Sequence, residues 1–498
     1  MALHPKSKGA CHLPTSQYNR REFLGLMGAA AAAAHAASGG EQPNILYIMA
    51  DDHASHAITA YGSRINKTPN IDRIAKGGMR LNNCFCTNSI CTPSRAAILT
   101  GQYSHKNGVY TLGDALDPNR NHVAKEMKNA GYQTAMIGKW HLQTNPTGFD
   151  YWNILPGQGV YYDPVFIDGG QKKKHPGYCT DLITDFTLDW LKQRDKKKPF
   201  FALCHHKAPH RPWDPAPKYA HLFDGQTIPE PDNLYDHYEG KARSVAAVKM
   251  RVGEDMNKTD VKVALPTDLQ GDALRKWAYQ YYIKDYLRCI QSVDDNVGRL
   301  LDYLDAEGLA KNTIVVYTSD QGFFLGDHGW YDKRLMYEES LRMPFLVRYP
   351  GAIRPGTVSS DIVLNVDFAP MFLDYAGVKT PAEMQGRSFR PNLEGRTPSN
   401  WRTSMYYRYW MHNSNDHHVP AHYGVRTKQH KLIYYYGKPL GMKGANEPAT
   451  TPEWELFDMQ KDPREMKNLY NDTAYRGLVD KLTSELARLQ KEVDDTPA

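Results

Sequence analysis

Pro43-Asn44-Ile45-Leu46-Tyr47-Ile48-Met49-Ala50-Asp51-Asp52 is the stretch on which the fold turns. Its first eight residues form an almost wholly apolar run without alternation, the pattern of a strand covered on both faces in a parallel sheet. The run then breaks into two carboxylates. Open α/β sheets gather their ligands at the carboxyl ends of central strands, so Asp51 and Asp52 stand where a site is expected, although two adjacent aspartates are often only a turn.

The same pattern recurs along the chain. Tyr132 to Ile137, Pro199 to Cys204 (PFFALC) and Asn312 to Thr318 (NTIVVYT) read as buried strands, Met79 to Cys86 and Met343 to Tyr349 as further ones. Helical spacing over 119–130, 180–193, 270–308 and 367–376 alternates with them. This predicts an α/β fold with a large, mostly parallel mixed sheet flanked by helices. Residues 214–270 lack regular patterning and read as an insertion over the active-site face, or else as a disordered loop. Pro and Gly accumulate between 381 and 398, which sets a boundary: a catalytic domain over 41–380 and a smaller α+β domain over 381–498. In the latter, Met405 to Trp410, Lys431 to Tyr436 and Trp454 to Phe457 predict a small antiparallel sheet, and Leu478, Leu482, Leu486 and Leu489 mark one face of a closing helix.

Composition narrows the partners. The chain has 498 residues, with 61 basic against 55 acidic, and its basic runs (Lys172–Lys174, Lys196–Lys198) are short and read as solvated surface. No nucleic-acid footprint is present, and the mild positive balance favours an anionic substrate. Seven cysteines, at 11, 84, 86, 91, 179, 204 and 289, make no disulfide framework. Cys84 and Cys86 would point to opposite faces of one strand, and buried thiols are expected. Residues 1–40 read as a leader: Asn19-Arg20-Arg21-Glu22-Phe23-Leu24 resembles a twin-arginine export signal, followed by an alanine-rich run ending in Ala34-His35-Ala36. That run is too short for a stable membrane span, so export machinery and a periplasmic or secreted location are expected.

The chemistry is carried by Cys91-Thr92-Pro93-Ser94-Arg95-Ala96-Ala97-Ile98-Leu99-Thr100-Gly101. Pro93 suits a first helical turn and Ala96 to Leu99 propagate the helix, so residue 91 lies just before a helix N-terminus, which favours anions. Arg95 adds a permanent, forked cation. A lone Cys-x-Pro is ordinarily a buried cysteine before a helix. The complete stretch, however, resembles the signature of the formylglycine-dependent sulfatases of the alkaline-phosphatase-like superfamily, and its expected partners recur downstream.

In that family the cysteine is oxidised to an aldehyde (formylglycine), hydrated to a geminal diol and used as the nucleophile. The resemblance therefore implies an enzyme, a sulfuric ester hydrolase, and a maturating enzyme that oxidises Cys91. It assigns Asp51, Asp52, Cys91, Asp320 and Gln321 to a divalent metal, for which oxygen donors suit Ca2+ and less well Mg2+. Gln321, in Ser319-Asp320-Gln321-Gly322, departs from the asparagine or histidine of many relatives. Gly138-Lys139-Trp140-His141-Leu142 matches a family block, with Lys139 on the nucleophile and sulfate and His141 as the base that expels sulfate. In His205-His206-Lys207-Ala208-Pro209-His210-Arg211-Pro212, the resemblance puts His210 on the ester oxygen, with His206 a weaker candidate. Lys333 matches a second sulfate-binding lysine, and Asp320 is the base for the diol, whose acidity Arg95 and the metal raise. His210 or Lys333 would protonate the leaving group.

The His-rich tail segment offers His417, His418 and His422 as substrate-binding candidates, with a plain surface loop as the alternative. The blocks are most similar to bacterial enzymes that remove 6-O-sulfate from N-acetylglucosamine-type sugars, so a sulfated saccharide, of glycosaminoglycan type, is the expected substrate. Two other functions stand beside it: a phosphodiesterase or phosphonate monoester hydrolase of the same superfamily, and a catalytically silent glycan-binding relative with Cys91 unmodified.

Overall fold

Asn44–Ala50 is the fifth strand of a ten-stranded sheet, in the order 357–359, 79–81, 345–348, 313–319, 44–50, 200–205, 133–139, 151–155, 165–168, 171–174. The computed structural model describes Met1 and residues 42–497, so the leader lies outside the described residues. From Thr313–Ser319 across to Tyr151–Leu155 the strands are parallel. Phe345–Arg348 and the Val165–Asp168/Gln171–Lys174 hairpin add antiparallel pairings on either side, which makes the sheet mixed.

The apolar run is explained by its two covered faces. Ile45, Tyr47 and Met49 enter one core cluster, Leu46, Ile48 and Ala50 the other. Each Ile, Leu and Met among them contributes roughly 1.5–3 kcal/mol by leaving water, and a one-residue slip would exchange the two faces. Over the second face lies Gly271–Ala306, one unbroken helix of 36 residues, with Tyr282, Tyr286, Ile290, Val293 and Val297 buried against the sheet. Its Asp294 accepts from the backbone N–H groups of Asn70 (3.0 Å) and Ile71 (2.8 Å), capping the Pro69–Lys76 helix from outside. Phe368–Tyr375 and Val123–Asn129 cover the first face.

Some expectations are corrected and others are borne out. Met79 to Cys86 is not one strand: Met79–Leu81 joins the large sheet, while Cys84–Phe85 pairs in parallel with Val363–Leu364. The lysines at 172–174 sit on a fully exposed edge strand, where their charge discourages pairing with another chain. Residues 214–270 are ordered, with short helices at Arg243–Ala246 and Lys258–Val261 and buried Leu234, Tyr238, Val248 and Met250. The six cysteines among the described residues are buried free thiols.

The small antiparallel sheet has four strands, Ser404–Tyr409, His422–Thr427, His430–Tyr435 and Glu453–Asp458, against which Arg476–Val493 buries Leu482, Leu486 and Leu489. Gln42–Ala498 form one unit, and buried ion pairs run into this sheet: Glu338 meets Arg426 at 3.0 Å and Lys431 at 3.1 Å.

Candidate active site

Adjacent strand ends supply the site. Asp51 and Asp52 follow Ala50, Asp320 and Gln321 follow Ser319, and Lys139 closes its own strand. Asp52 adopts φ 65°, in the left-handed region, and its N–H donates to Asp320 Oδ1 at 3.2 Å, tying two acidic ends together. Gly138 lets Lys139 turn in: at φ 100° it lies so close to the next strand that a Cβ would sit 2.0 Å from His205 O.

Cys91 is the first residue of the Cys91–Thr100 helix, every residue of which is buried. Its Sγ lies 3.4 Å from Asp51 Oδ1 and 3.7 Å from Gln321 Nε2. One turn on, Arg95 sets Nε and Nη2 each 3.0 Å from Asp320 Oδ2, with Nη2 3.7 Å from Asp51 Oδ1. Its Nη1 donates to Lys139 O at 2.6 Å. Lys139 Nζ donates to Asp51 Oδ2 and to Gln158 Oε1, while Lys333 Nζ donates to Asp52 Oδ2 at 2.8 Å. His210 places Nε2 3.8 Å from the same Asp52 oxygen. The cluster thus balances three carboxylates against Arg95, Lys139 and Lys333.

Electrostatics separate the carboxylates. Burial pushes Asp320 up to about 7, helped by Asp51 and opposed by Arg95, and Asp52 up to about 6 against the pull of Lys333. Burial acts on Asp51 too, but Lys139, His210, Arg95 and Lys333 together hold it well below the ordinary range. The Cys91 thiol is driven far up by burial and by Asp51, so as a cysteine it is a poor nucleophile. Burial, with Lys139 and Arg95 nearby, keeps His141 neutral by lowering its imidazole to about 2.

The donor set suits a hard cation. Ligand oxygens of Asp51, Asp52 and Asp320 lie within 4.8 Å of one another. Gln321 Nε2 donates to Asp52 Oδ1 at 2.5 Å, which leaves its buried Oε1 without a hydrogen-bond partner. A buried carbonyl oxygen with no donor, beside three carboxylates, is the environment that calcium or magnesium fills.

The other candidates divide. His141, at φ 53°, lies beside the cluster with a buried and unpartnered Nδ1. His417 reaches Asp332 Oδ2 at 3.2 Å, next to Lys333, and its Nδ1 lies 2.8 Å from Lys249 O. His418 is exposed and bonds Asn413 Oδ1 at 2.8 Å, away from the cluster. His206 and His422 are corrected to core residues. His206 is buried with Nε2 3.7 Å from Cys204 Sγ, and His422 points inward from its strand among Tyr407, Tyr409 and Tyr435.

Three contacts were not foreseen from the sequence. Ser94 Oγ donates to Asp320 O and accepts from Asn365 Nδ2 at 2.9 Å, Asp332 flanks Lys333, and Gln158 reaches Lys139 from a loop. Only the flanking glycines at 157 and 159 mark the last as a special turn.

Comparison with known proteins accords with this geometry. A family model described as Sulfatase matches residues 43–378, and one described as N-sulphoglucosamine sulphohydrolase, C-terminal, matches residues 326–492. The chain belongs to the sulfatase family, and it is a sulfuric ester hydrolase.

Among its relatives, the N-acetylglucosamine-6-O-sulfatase of Bacteroides thetaiotaomicron is 43% identical over 500 residues, covering 91% of this chain and 87% of that protein. The human N-acetylglucosamine-6-sulfatase is 29% identical over 402 residues, covering 75% of this chain and 68% of that protein. A solved structure of a protein in complex with its substrate D-glucosamine-2-N,6-O-disulfate matches with a TM-score of 0.86 at 43% identity, covering 91% of this chain and 98% of that one. No helix among the described residues is long and apolar enough to cross a membrane.

Proposed function

We propose that the protein removes the 6-O-sulfate from an N-acetylglucosamine-type sugar, using Cys91 in its oxidised form. One observation carries this: a cysteine at a helix start, three carboxylates, an arginine, two lysines and a histidine form one buried cluster at the strand ends. The 43% identical relative and the disulfated-glucosamine complex support the choice of sugar. The test is sulfate release from a panel of mono- and disaccharides sulfated at single positions, with peptide mass at residue 91. Release confined to N- or 3-O-sulfate would overturn the choice of position, release confined to sulfated galactose or uronic acid the choice of sugar, and an unmodified, inactive Cys91 would favour the silent glycan-binding function.

The residues divide the labour. A hydrated aldehyde at position 91 supplies two hydroxyls, one to attack sulfur and one whose deprotonation expels sulfate. Asp320, with its raised affinity for protons, takes the proton of the first, and His141 that of the second. Arg95 holds the negative charge beside residue 91, while Lys139, Lys333 and His210 bind the sulfuryl oxygens and the leaving oxygen. Asp51, Asp52, Asp320 and Gln321 Oε1 would hold a divalent cation, Ca2+ in preference to Mg2+, which supplies positive charge next to the nucleophile.

Cation binding has a pH signature. In the cation-free fold Asp52 and Asp320 bind protons more tightly than in the unfolded chain, so they make stability fall as pH rises from about 4 to about 7. Asp51 acts oppositely, but only below its ordinary range. A cation competes with those protons, so added Ca2+ should raise the melting temperature of chelator-treated protein more at pH 8 than at pH 5. At a hundredfold excess over Kd the gain is about 2.7 kcal/mol. Gln321→Ala should reduce it, and equal shifts at both pH values would remove these carboxylates from the cation site.

His210→Ala is expected to cost ~10^2- to 10^4-fold on a sugar sulfate but far less on nitrophenyl sulfate, whose leaving group departs without a proton. Equal losses on the two esters would transfer the donor role to Lys333. Export through the twin-arginine route, oxidation of Cys91 by a separate enzyme and the division of the chain at 380/381 complete the proposed picture.

A further inference from the structure

The loop over 156–162 follows the Tyr151–Leu155 strand and touches two of the residues assigned above to sulfate. Gln158 Oε1 accepts from Lys139 Nζ, and Tyr161 OH donates to His210 O at 2.5 Å. Tyr161 is itself buried beneath Lys207, whose Nζ lies 4.8 Å from the ring centroid, so this end of the loop is braced. Gly157 (φ 53°) and Gly159 (φ 66°) shape the turn that carries Gln158 inward, and a Cβ on Gly159 would sit 2.8 Å from Leu155 Cδ1. Gly157 also borders a cleft shared with His141.

A lysine ammonium has only protons to give, so the amide must face Lys139 with its oxygen. Its Nε2 is therefore turned the other way, a donor on a half-buried side chain that meets no described residue, beside the lysine assigned above to sulfate. We propose that Gln158 is a specificity-determining residue that donates from Nε2 to a sulfuryl oxygen of the substrate while its Oε1 orients Lys139. This rests on the sulfatase function proposed above. The neutral amide matters: a carboxylate there would still accept from Lys139 but would repel the sulfate.

Gln158→Glu and Gln158→Ala separate substrate recognition from simple support of Lys139. Substrate recognition requires the melting-temperature rise caused by inorganic sulfate to fall in the order wild type, Ala, Glu. KM for the sulfated sugar should rise roughly tenfold in Ala and roughly a hundredfold in Glu, while all three proteins melt alike without sulfate. Simple support predicts the reverse order for the variants, since glutamate is the stronger acceptor for an ammonium, and a Glu variant that binds sulfate better than Ala would overturn the proposal. Unchanged sulfate binding with altered sugar KM would also overturn it, moving the contact to a sugar oxygen. Wild-type protein inert towards every sulfate ester would instead sink the sulfatase function, and this inference with it.

Discussion

Cys91→Ser is expected to release at most one equivalent of desulfated sugar per enzyme and then stop. Serine fits the same buried position, 1% exposed in the wild type, so folding and substrate binding should survive. With a single hydroxyl it can be sulfated but has no second hydroxyl whose deprotonation would drive sulfate off. The adduct should persist on residue 91, visible as added mass on that peptide, and steady turnover should fall at least ~10^4-fold, the scale of losing a covalent nucleophile. Cys91→Ala should be equally slow with no adduct. Nor can the unmodified thiol take over, because burial and Asp51 keep it protonated. Sustained turnover by the serine variant would overturn the mechanism.

Arg95→Ala should be the most destabilising single change in the site. The guanidinium is 2% exposed, contacts both Asp320 and Asp51, and holds Lys139 O. Its removal strands the Asp320 carboxylate and a carbonyl in a dry interior, while Asp51 keeps Lys139, and breaking one side of a buried ion pair costs about 3–5 kcal/mol. Against a total stability of about 5–15 kcal/mol, such a loss is large in urea unfolding. Arg95→Lys keeps the charge but not the fork that gives Asp320 two donors, so its cost should be intermediate. Adding Asp320→Asn to Arg95→Ala should restore part of the stability without restoring activity, because the stranded charge is gone but so is the base. A cost below about 1 kcal/mol for Arg95→Ala would mean that the charge balance of the pocket is set elsewhere.

The central strands were legible because both their faces are buried, which leaves apolar runs that end where the chain must turn out of the sheet. Asp51, Asp52 and Asp320 stood out for that reason. Strands with a polar or exposed face left no such trace. His422–Thr427 contains a histidine, an arginine and a glycine, and becomes a strand only through its pairing with Ser404–Tyr409 and His430–Tyr435. Its first residue therefore looked like a sugar ligand, whereas its ring fills the space between tyrosines of neighbouring strands. Gln171–Lys174 is wholly exposed, and its lysines read only as solvated surface, with no strand signal. Within the site, motif residues were legible and their supports were not. Gln158, Asn365 and Asp332 act through contacts that only the folded chain creates, and none lies in a residue pattern of its own.

The helix that begins at Cys91 is enclosed from its first residue to its last. A finished molecule therefore offers no surface by which another protein of any size could grip that thiol. If a separate enzyme oxidises Cys91, as proposed above, that oxidation has to win a race against folding, in the interval after the ribosome has released this segment and before the sheet closes over it. Chains that lose the race should stay inactive for the lifetime of the fold. The active fraction of a preparation would then be decided during synthesis, and an oxidising enzyme supplied afterwards would rescue only molecules that are first unfolded.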